Sequence, residues 1–116
     1  MKKIIFLALF FCFAGLNAQQ PGPKLEKEGD LVKATYFYEN GQVRQEGYFK
    51  NNKLDGQWIS YREDGAKSAL AIYADGKKTG KWLFWSQDGK ITEVDYSQNT
   101  ILNVIEVQRA NAVVEN

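Results

Sequence analysis

Apolar and polar residues alternate through most of the chain after Leu31, in short runs separated by Asn-Gly or Asp-Gly pairs. Residues 31–38 are rich in β-branched and aromatic side chains, and residues 43–50 form a second such run after Asn40-Gly41. An Asn-Gly pair in this position indicates a β-hairpin, because a type I′ turn requires positive φ at both central residues. The same order of run, Asp-Gly pair and run predicts further hairpins over residues 57–74 and 81–97.

The hairpins recur at a fixed interval. The turn glycines Gly41, Gly65 and Gly89 are separated by 24 residues, and the same interval relates Gly56 to Gly80. Self-similarity at such a period is typical of repeat architectures. The sequence therefore predicts an all-β fold of tandem antiparallel β-hairpin repeats, which form an elongated, twisted meander sheet. All five glycines are interpreted as structural turn residues, and residues 51–56 and 75–80 as longer loops between hairpins.

Aromatic residues occupy equivalent positions in successive repeats. Seven residues before the turn glycine stand Ala34, Trp58 and Trp82, and four residues before it stand Phe37, Tyr61 and Trp85. Side chains alternate between the faces of a strand, so the two sets lie in rows on opposite faces. Either row can be the wet one. The alternative is that one row is buried and the stems of neighbouring Lys and Arg side chains cover the other. If the module binds through an aromatic row, we expect Trp58 and Trp82 to face water and contact the partner, with the Trp85 row buried, because tryptophan is enriched in binding hot spots.

The flanks of the repeats differ from them in composition. Residues 19–30 hold both prolines and many charges, which predicts a flexible, largely disordered lead-in to a repeat domain at residues 31–108. Residues 101–107 are mostly aliphatic and lie outside the repeat, which favours a capping strand over the alternative, a short amphipathic helix. Residues 109–116 are expected to form a disordered tail.

The N-terminus has the pattern of a secretory signal peptide. Lys2 and Lys3 precede an apolar run at residues 4–16, and Ala18 provides a small residue for cleavage. A retained membrane anchor is the alternative, disfavoured because a bilayer span needs about 20 apolar residues. We therefore expect residues 1–18 to be removed and the protein to be exported to the periplasm, the outer surface or the medium.

Composition restricts the chemistry of the processed chain. The sequence of 116 residues has no histidine, and its one cysteine, Cys12, lies in the predicted leader. We therefore expect no metal site, no cofactor and no thiol or histidine nucleophile. Without Lys2 and Lys3, 13 basic residues face 14 acidic ones, so the net charge of −1 gives no reason to expect nucleic acid as a partner.

The motif residues resemble a known repeat. Residues 38–41, 46–58 and 61–65 are similar to the bacterial variant of the MORN repeat, and residues 73–82 and 85–89 match it again, over about residues 36–98 in all. The resemblance implies tandem hairpins in an elongated, twisted sheet. Similar proteins are often described as antitoxin components of toxin–antitoxin pairs, and other MORN arrays are linked to membranes or protein scaffolding. No catalytic residues are implied.

No arrangement of side chains points to catalysis. Residues 76–81 lack the spacing of a phosphate-binding loop, and Asp64, Asp75 and Asp88 occupy turns, where aspartate is favoured for backbone reasons. Lysines beside a tryptophan can contact lipid headgroups, or they can simply be solvated. The candidate partner-binding residues are therefore aromatic or basic: Trp58, Trp82, Phe84, Lys77, Lys78 and Lys81.

These observations predict an exported, non-enzymatic module that binds or scaffolds another protein at the cell envelope. Two alternatives stay open at this point. One is an antitoxin-like component that neutralises a toxin. The other is a module that binds a glycan, by stacking of exposed aromatic rings, or a membrane surface.

Overall fold

The computed structural model describes residues 22–108, which form a single antiparallel sheet. The predicted all-β meander of hairpins is confirmed, and the sheet is open. Spatial order follows chain order, with the two-residue β6 paired to β5 beside the main path. The strands of the described residues are β1 Lys24–Glu28, β2 Leu31–Phe37, β3 Val43–Lys50, β4 Lys53–Tyr61, β5 Lys67–Ala74, β6 Lys77–Lys78, β7 Gly80–Trp85, β8 Lys90–Ser97 and β9 Thr100–Gln108.

Residues 22–108 contain no helix long and apolar enough to cross a membrane. The predicted leader at residues 1–18 and the predicted tail at residues 109–116 lie outside the described part of the chain. Within the predicted lead-in, the structure differs from the expectation. Lys24–Glu28 is a strand paired along its length with β2, because backbone pairing to an existing sheet orders even a charged segment.

The repeated Asn-Gly and Asp-Gly pairs lie in three-residue hairpin loops. In the first loop, the Gly41 N–H donates to the Tyr38 carbonyl at 3.0 Å and the Tyr38 N–H to the Gln42 carbonyl at 2.9 Å. Gly41 has a φ of 91°, whereas Asn40 is not among the residues with positive φ. The loop is therefore a type I turn followed by a glycine bulge, and the predicted type I′ turn is wrong here. The Asn40 side chain accepts the Gln42 N–H at 2.9 Å, which explains the Asn or Asp at this position.

The type I′ turns lie at the opposite end of the sheet. Asn51 and Asn52 both have positive φ, of 51° and 65°, and connect β3 directly to β4. Asp75-Gly76 and Gln98-Asn99 have the same conformation in the equivalent connections. The predicted longer loops at residues 51–56 and 75–80 are thus tight turns that continue at once into strands.

The loop glycines of the prediction lie inside or next to strands. Gly56 has a φ of 74° within β4, and Gly80 has a φ of 71° where β7 begins. Between β3 and β4 the register shifts, with Glu46 opposite Ile59 but Tyr48 opposite Asp55. Gly56 therefore serves a bulge rather than a turn. Such a bulge re-aims the side chains that follow it.

The predicted strand near the C-terminus is confirmed as β9, and the helical alternative is wrong. The predicted capping role is not supported, because the aliphatic side chains of β9 remain exposed. β9 pairs with β8 along its whole length, with Val94 opposite Val104. It forms one edge of the sheet, while β1 forms the other.

The core is a row of side chains that crosses the sheet from edge to edge. Pairing places Ala34 opposite Gly47, Trp58 opposite Ala71 and Trp82 opposite Val94. The register of β5 and β7, with Leu70 opposite Leu83, brings Ala71 beside Trp82. Each tryptophan therefore lies between strands that carry small or branched residues. We refer to this side of the sheet as the tryptophan face.

The indole of Trp58 lies directly over Gly47. A Cβ added at Gly47 would be 2.0 Å from the nearest indole carbon, closer than any nonbonded contact permits. The indole N–H donates to the Tyr48 carbonyl at 2.9 Å, and the equivalent Trp82 N–H donates to the Ile72 carbonyl at 3.0 Å. Each indole thus donates to a carbonyl of the preceding strand, ten residues earlier in the chain, and this contact recurs with the repeat.

We predict that Gly47→Ala destabilises the protein by about 1–3 kcal/mol, because the added methyl displaces the Trp58 indole. The free energy of unfolding would be measured by urea denaturation followed by circular dichroism. In a Trp58→Leu background the smaller side chain leaves room for the methyl, so the same substitution should cost less. An equal cost in both backgrounds would contradict the packing of Trp58 over Gly47.

Candidate functional site

The structure reverses the predicted exposure of the tryptophans. Trp58 is 4% exposed and Trp82 is 8% exposed, so they form the core and not a water-facing row. Alternation along a strand fixes which residues share a face, but it does not determine which face is packed. Gly47, which has no side chain, leaves the space that the Trp58 indole occupies, and Ala71 beside Trp82 carries only a methyl group.

The other candidate residues do not converge on one surface. Phe84 is 38% exposed and lies on the tryptophan face, its ring 6.2 Å from that of Trp82. Lys78 is on the same face, with its amino group 5.4 Å from the Trp82 ring and 5.2 Å from the Tyr96 ring. Lys77 and Lys81 are exposed, but strand alternation places both on the opposite face.

The second predicted row, Phe37, Tyr61 and Trp85, is half-buried. The backbone carbonyls of Tyr61 and Trp85 accept hydrogen bonds from the preceding repeat. The Tyr38 hydroxyl donates to the Tyr61 carbonyl at 2.6 Å, and Arg62, 24 residues after Tyr38, donates to the Trp85 carbonyl at 2.7 Å. Two different side chains thus form the same contact between repeats.

A shallow groove of about 210 Å³ opens on the tryptophan face. It spans strands β2 to β5, and four of its eight lining residues are aromatic. Its lining consists of Tyr36, Gln45, Phe49, Leu54, Trp58, Ser60, Ala71 and Tyr73. We refer to this feature as the aromatic groove.

The buried Trp58 indole forms the floor of the aromatic groove, and partly exposed rings surround it. The Phe49 ring packs edge-on at 5.1 Å from the indole, with an interplanar angle of 78°, and the Tyr36 ring lies 6.5 Å away. Gln45 pairs with both Tyr36 and Ser60, so the two polar side chains lie side by side among the rings. The surface combines an apolar floor with hydrogen-bonding groups at one side, as small-molecule and side-chain pockets usually do.

The electrostatics of the groove favour neutral tyrosines. Burial raises the pKa of Tyr36, with a smaller opposing effect from the nearby Arg44, whose guanidinium lies 5.8 Å from the ring centroid. Burial also raises the pKa of Tyr73, and Tyr96 adds to the increase. Both hydroxyls therefore remain protonated at neutral pH and can donate hydrogen bonds.

The groove exists at Trp58 because one repeat differs from the next. Ser60 occupies the position that Phe84 holds 24 residues later, and Leu54 occupies the position of Lys78. Around Trp82, Phe84 and the Lys78 side chain cover the indole, whereas the small Ser60 leaves the corresponding space open beside Trp58.

Sequence reasoning identified the floor of the groove but missed its other lining residues. Phe49 and Tyr73 are 24 residues apart and thus equivalent, which is a signal of shared position that the sequence already contains. The substitution of Ser60 for a phenylalanine in the aligned repeat is the second signal. Neither of these two sequence signals indicates a groove unless the exposed face of the sheet is also known.

Comparison with known families agrees with the first predicted hairpin. Residues 32–51 match a family model. It is described as a MORN repeat variant. The matched segment covers most of β2, the first hairpin loop and all of β3. This repeat generally mediates protein or membrane-lipid binding and is generally non-catalytic. No curated protein matches the chain.

We predict a pH dependence of stability from Tyr61. Its hydroxyl donates to the Glu46 carboxylate at 2.7 Å, and this bond, with a smaller effect of burial, raises the pKa of Tyr61 to about 12. Because the folded pKa exceeds the unfolded value of 10, the bond stabilises the protein fully below pH 10, and this stabilisation is lost between pH 10 and 12.

The measurement compares thermal unfolding of the native protein with that of Tyr61→Phe from pH 8 to pH 12. The native protein should be the more stable below pH 10, and the difference should shrink above it. Lysine deprotonation affects both proteins alike, so it cancels in the comparison. A difference that stays constant across this range would show that Tyr61 has an ordinary pKa.

Proposed function

We propose that this chain is an exported, non-enzymatic repeat module that binds another protein, and that the aromatic groove receives an apolar side chain of that partner. The aromatic groove is the observation that supports the proposal. The match to a MORN repeat variant supports the same class of function, because such repeats generally mediate protein or membrane-lipid binding.

The groove suits a protein side chain for two reasons. Its volume of about 210 Å³ fits one large side chain, and its walls are aromatic rings held by pairing on both sides. Rigid aromatic surfaces lose little conformational entropy on binding, which is why they are frequent at the centres of interfaces. Gln45 and Ser60 add hydrogen-bonding groups that can reach a partner's backbone.

A membrane surface is supported less well as the partner. The basic residues of that alternative, Lys77, Lys78 and Lys81, are divided between the two faces of the sheet. Lys81 also lies opposite Asp95, and Lys77 lies two residues from Asp75. Because acidic groups accompany these three lysines, the three do not form the continuous basic surface that binds anionic headgroups.

We predict that the groove contacts the partner directly. A photo-crosslinking phenylalanine analogue at Tyr36 should give one discrete adduct in the native host, whereas the same analogue at Lys81, on the opposite face, should not. Mass spectrometry identifies the adduct, and purified partner is then titrated against the protein by isothermal calorimetry.

Ser60→Phe provides the matched test, because it places in the groove the residue that the next repeat carries at Phe84. This variant should stay folded yet lose the Tyr36 adduct and at least tenfold in affinity. Adduct formation at Lys81 alone would instead favour the opposite face. Sedimentation with phosphatidylglycerol vesicles, and its loss when the three lysines become glutamine, would favour a membrane surface.

Export is part of the proposal and has its own test. The charged start, the apolar run and Ala18 predict that the native host removes residues 1–18, so N-terminal analysis should find Gln19 within a residue or two. Protein that retains Met1 in the soluble cytoplasm would contradict export. That outcome would favour the antitoxin-like alternative, in which the same groove would hold a toxin.

A further inference from the structure

The two edges of the sheet differ in character. The β1 edge has the sequence Lys-Leu-Glu-Lys-Glu, in which four of five residues are charged. Charged side chains on an edge strand oppose the addition of further strands. The β9 edge carries five exposed aliphatic side chains and, among residues 100–107, one charge: the aliphatic residues are Ile101, Leu102, Val104, Ile105 and Val107.

The aliphatic residues of β9 lie on both faces of the sheet. Val104 is opposite Val94 on the tryptophan face and is 55% exposed, although it continues the core row. Ile105 and Val107 are opposite Glu93 and Ile91 on the other face. A docking surface that used one face alone would leave the other set exposed. Only a strand added alongside β9 contacts both sets while it pairs the outer backbone groups.

We propose that β9 pairs with the β9 strand of a second copy, antiparallel and about a two-fold axis, to form a continuous sheet across two chains. Full overlap of the nine-residue strand places Val104 opposite Val104 of the second copy. The same register places Glu106 opposite Leu102 and so separates the two acidic groups. Glu106 also lies 3.8 Å from Lys90 of its own chain, which balances its charge.

The charged β1 edge should limit this assembly to two copies. An interface between identical strands is isologous, so pairing uses the β9 edge of both chains and leaves β1 at each end. Since β1 is charged, neither end adds a third chain. Strand pairing alone buries less area than a permanent dimer needs, so we expect a reversible dimer that dissociates on dilution.

The first test measures association by sedimentation velocity on purified protein expressed from the full sequence, over a wide concentration range. The native protein should shift from monomer to dimer. Val104→Lys and Ile105→Lys change opposite faces of β9, and each should weaken association at least tenfold. Leu25→Lys is the matched control, because Leu25 is 62% exposed on the other edge, and it should leave association unchanged. Circular dichroism verifies that each variant is folded.

The second test checks the register with single cysteines in a Cys12→Ser background. Opposed residues in an antiparallel pair have Cα atoms about 4.5–5.5 Å apart, within the range of a disulfide. Val104→Cys should therefore form a crosslinked dimer under mild oxidation. Thr100→Cys should not. In this register residue 100 lies opposite residue 108 of the second copy, so the two introduced cysteines are eight residues apart, about 27 Å along the strand.

Either of two results would overturn the proposal. One is a monomer at every concentration, which would show that β9 does not pair with a second copy. The other is association that survives both lysine substitutions or is lost in Leu25→Lys. Because the groove lies on β2 to β5, the Ser60→Phe variant should still dimerise, so the outcome here is independent of the groove's function.

Discussion

The contact on which the rest of the sheet depends is the tryptophan indole that lies across the preceding strand. In both repeats the indole N–H donates to a carbonyl ten residues earlier, at 2.9 Å from Trp58 and 3.0 Å from Trp82. The contact satisfies the one polar group of a buried side chain and fixes the ring in place. It also places both indoles on one face of the open sheet. Trp58 lies over Gly47, where any side chain would collide with the ring, and Trp82 lies beside the small Ala71.

An open sheet has no second layer to cover it, so each face must be covered by its own side chains. On the tryptophan face the indoles and their ring neighbours do this. On the opposite face Tyr61 bonds to Glu46, and at the hairpin loops Tyr38 and Arg62 reach the backbone of the next repeat. These contacts bind each repeat to its neighbours only, as is typical of repeat proteins.

The sequence predicted the architecture well because the repeat is marked by glycine, asparagine and aspartate at its turns, and these residues have strong local backbone preferences. The 24-residue spacing of the turn glycines predicted three hairpins, and the aliphatic run near the C-terminus predicted β9. Turn types were less accessible, since Asn40-Gly41 and Asn51-Asn52 look alike as signals but differ in loop length. The exposed face was predicted wrongly, because it depends on Gly47 and on the bulge at Gly56, which bring distant residues together.

The aromatic groove could not be predicted for the same reason. It arises from contacts between four strands, and from the absence of bulk at Ser60 where the next repeat has Phe84. Within each unit, the indole stabilises the sheet, and the residues beside it determine the shape of the surface around it. The indole and its carbonyl can be retained while the neighbouring ring positions vary. Such a scaffold can gain or lose a binding groove by the substitution of one residue. Duplication of a unit provides a second copy in which that substitution leaves the indole contact, and thus the stability of the sheet, unchanged.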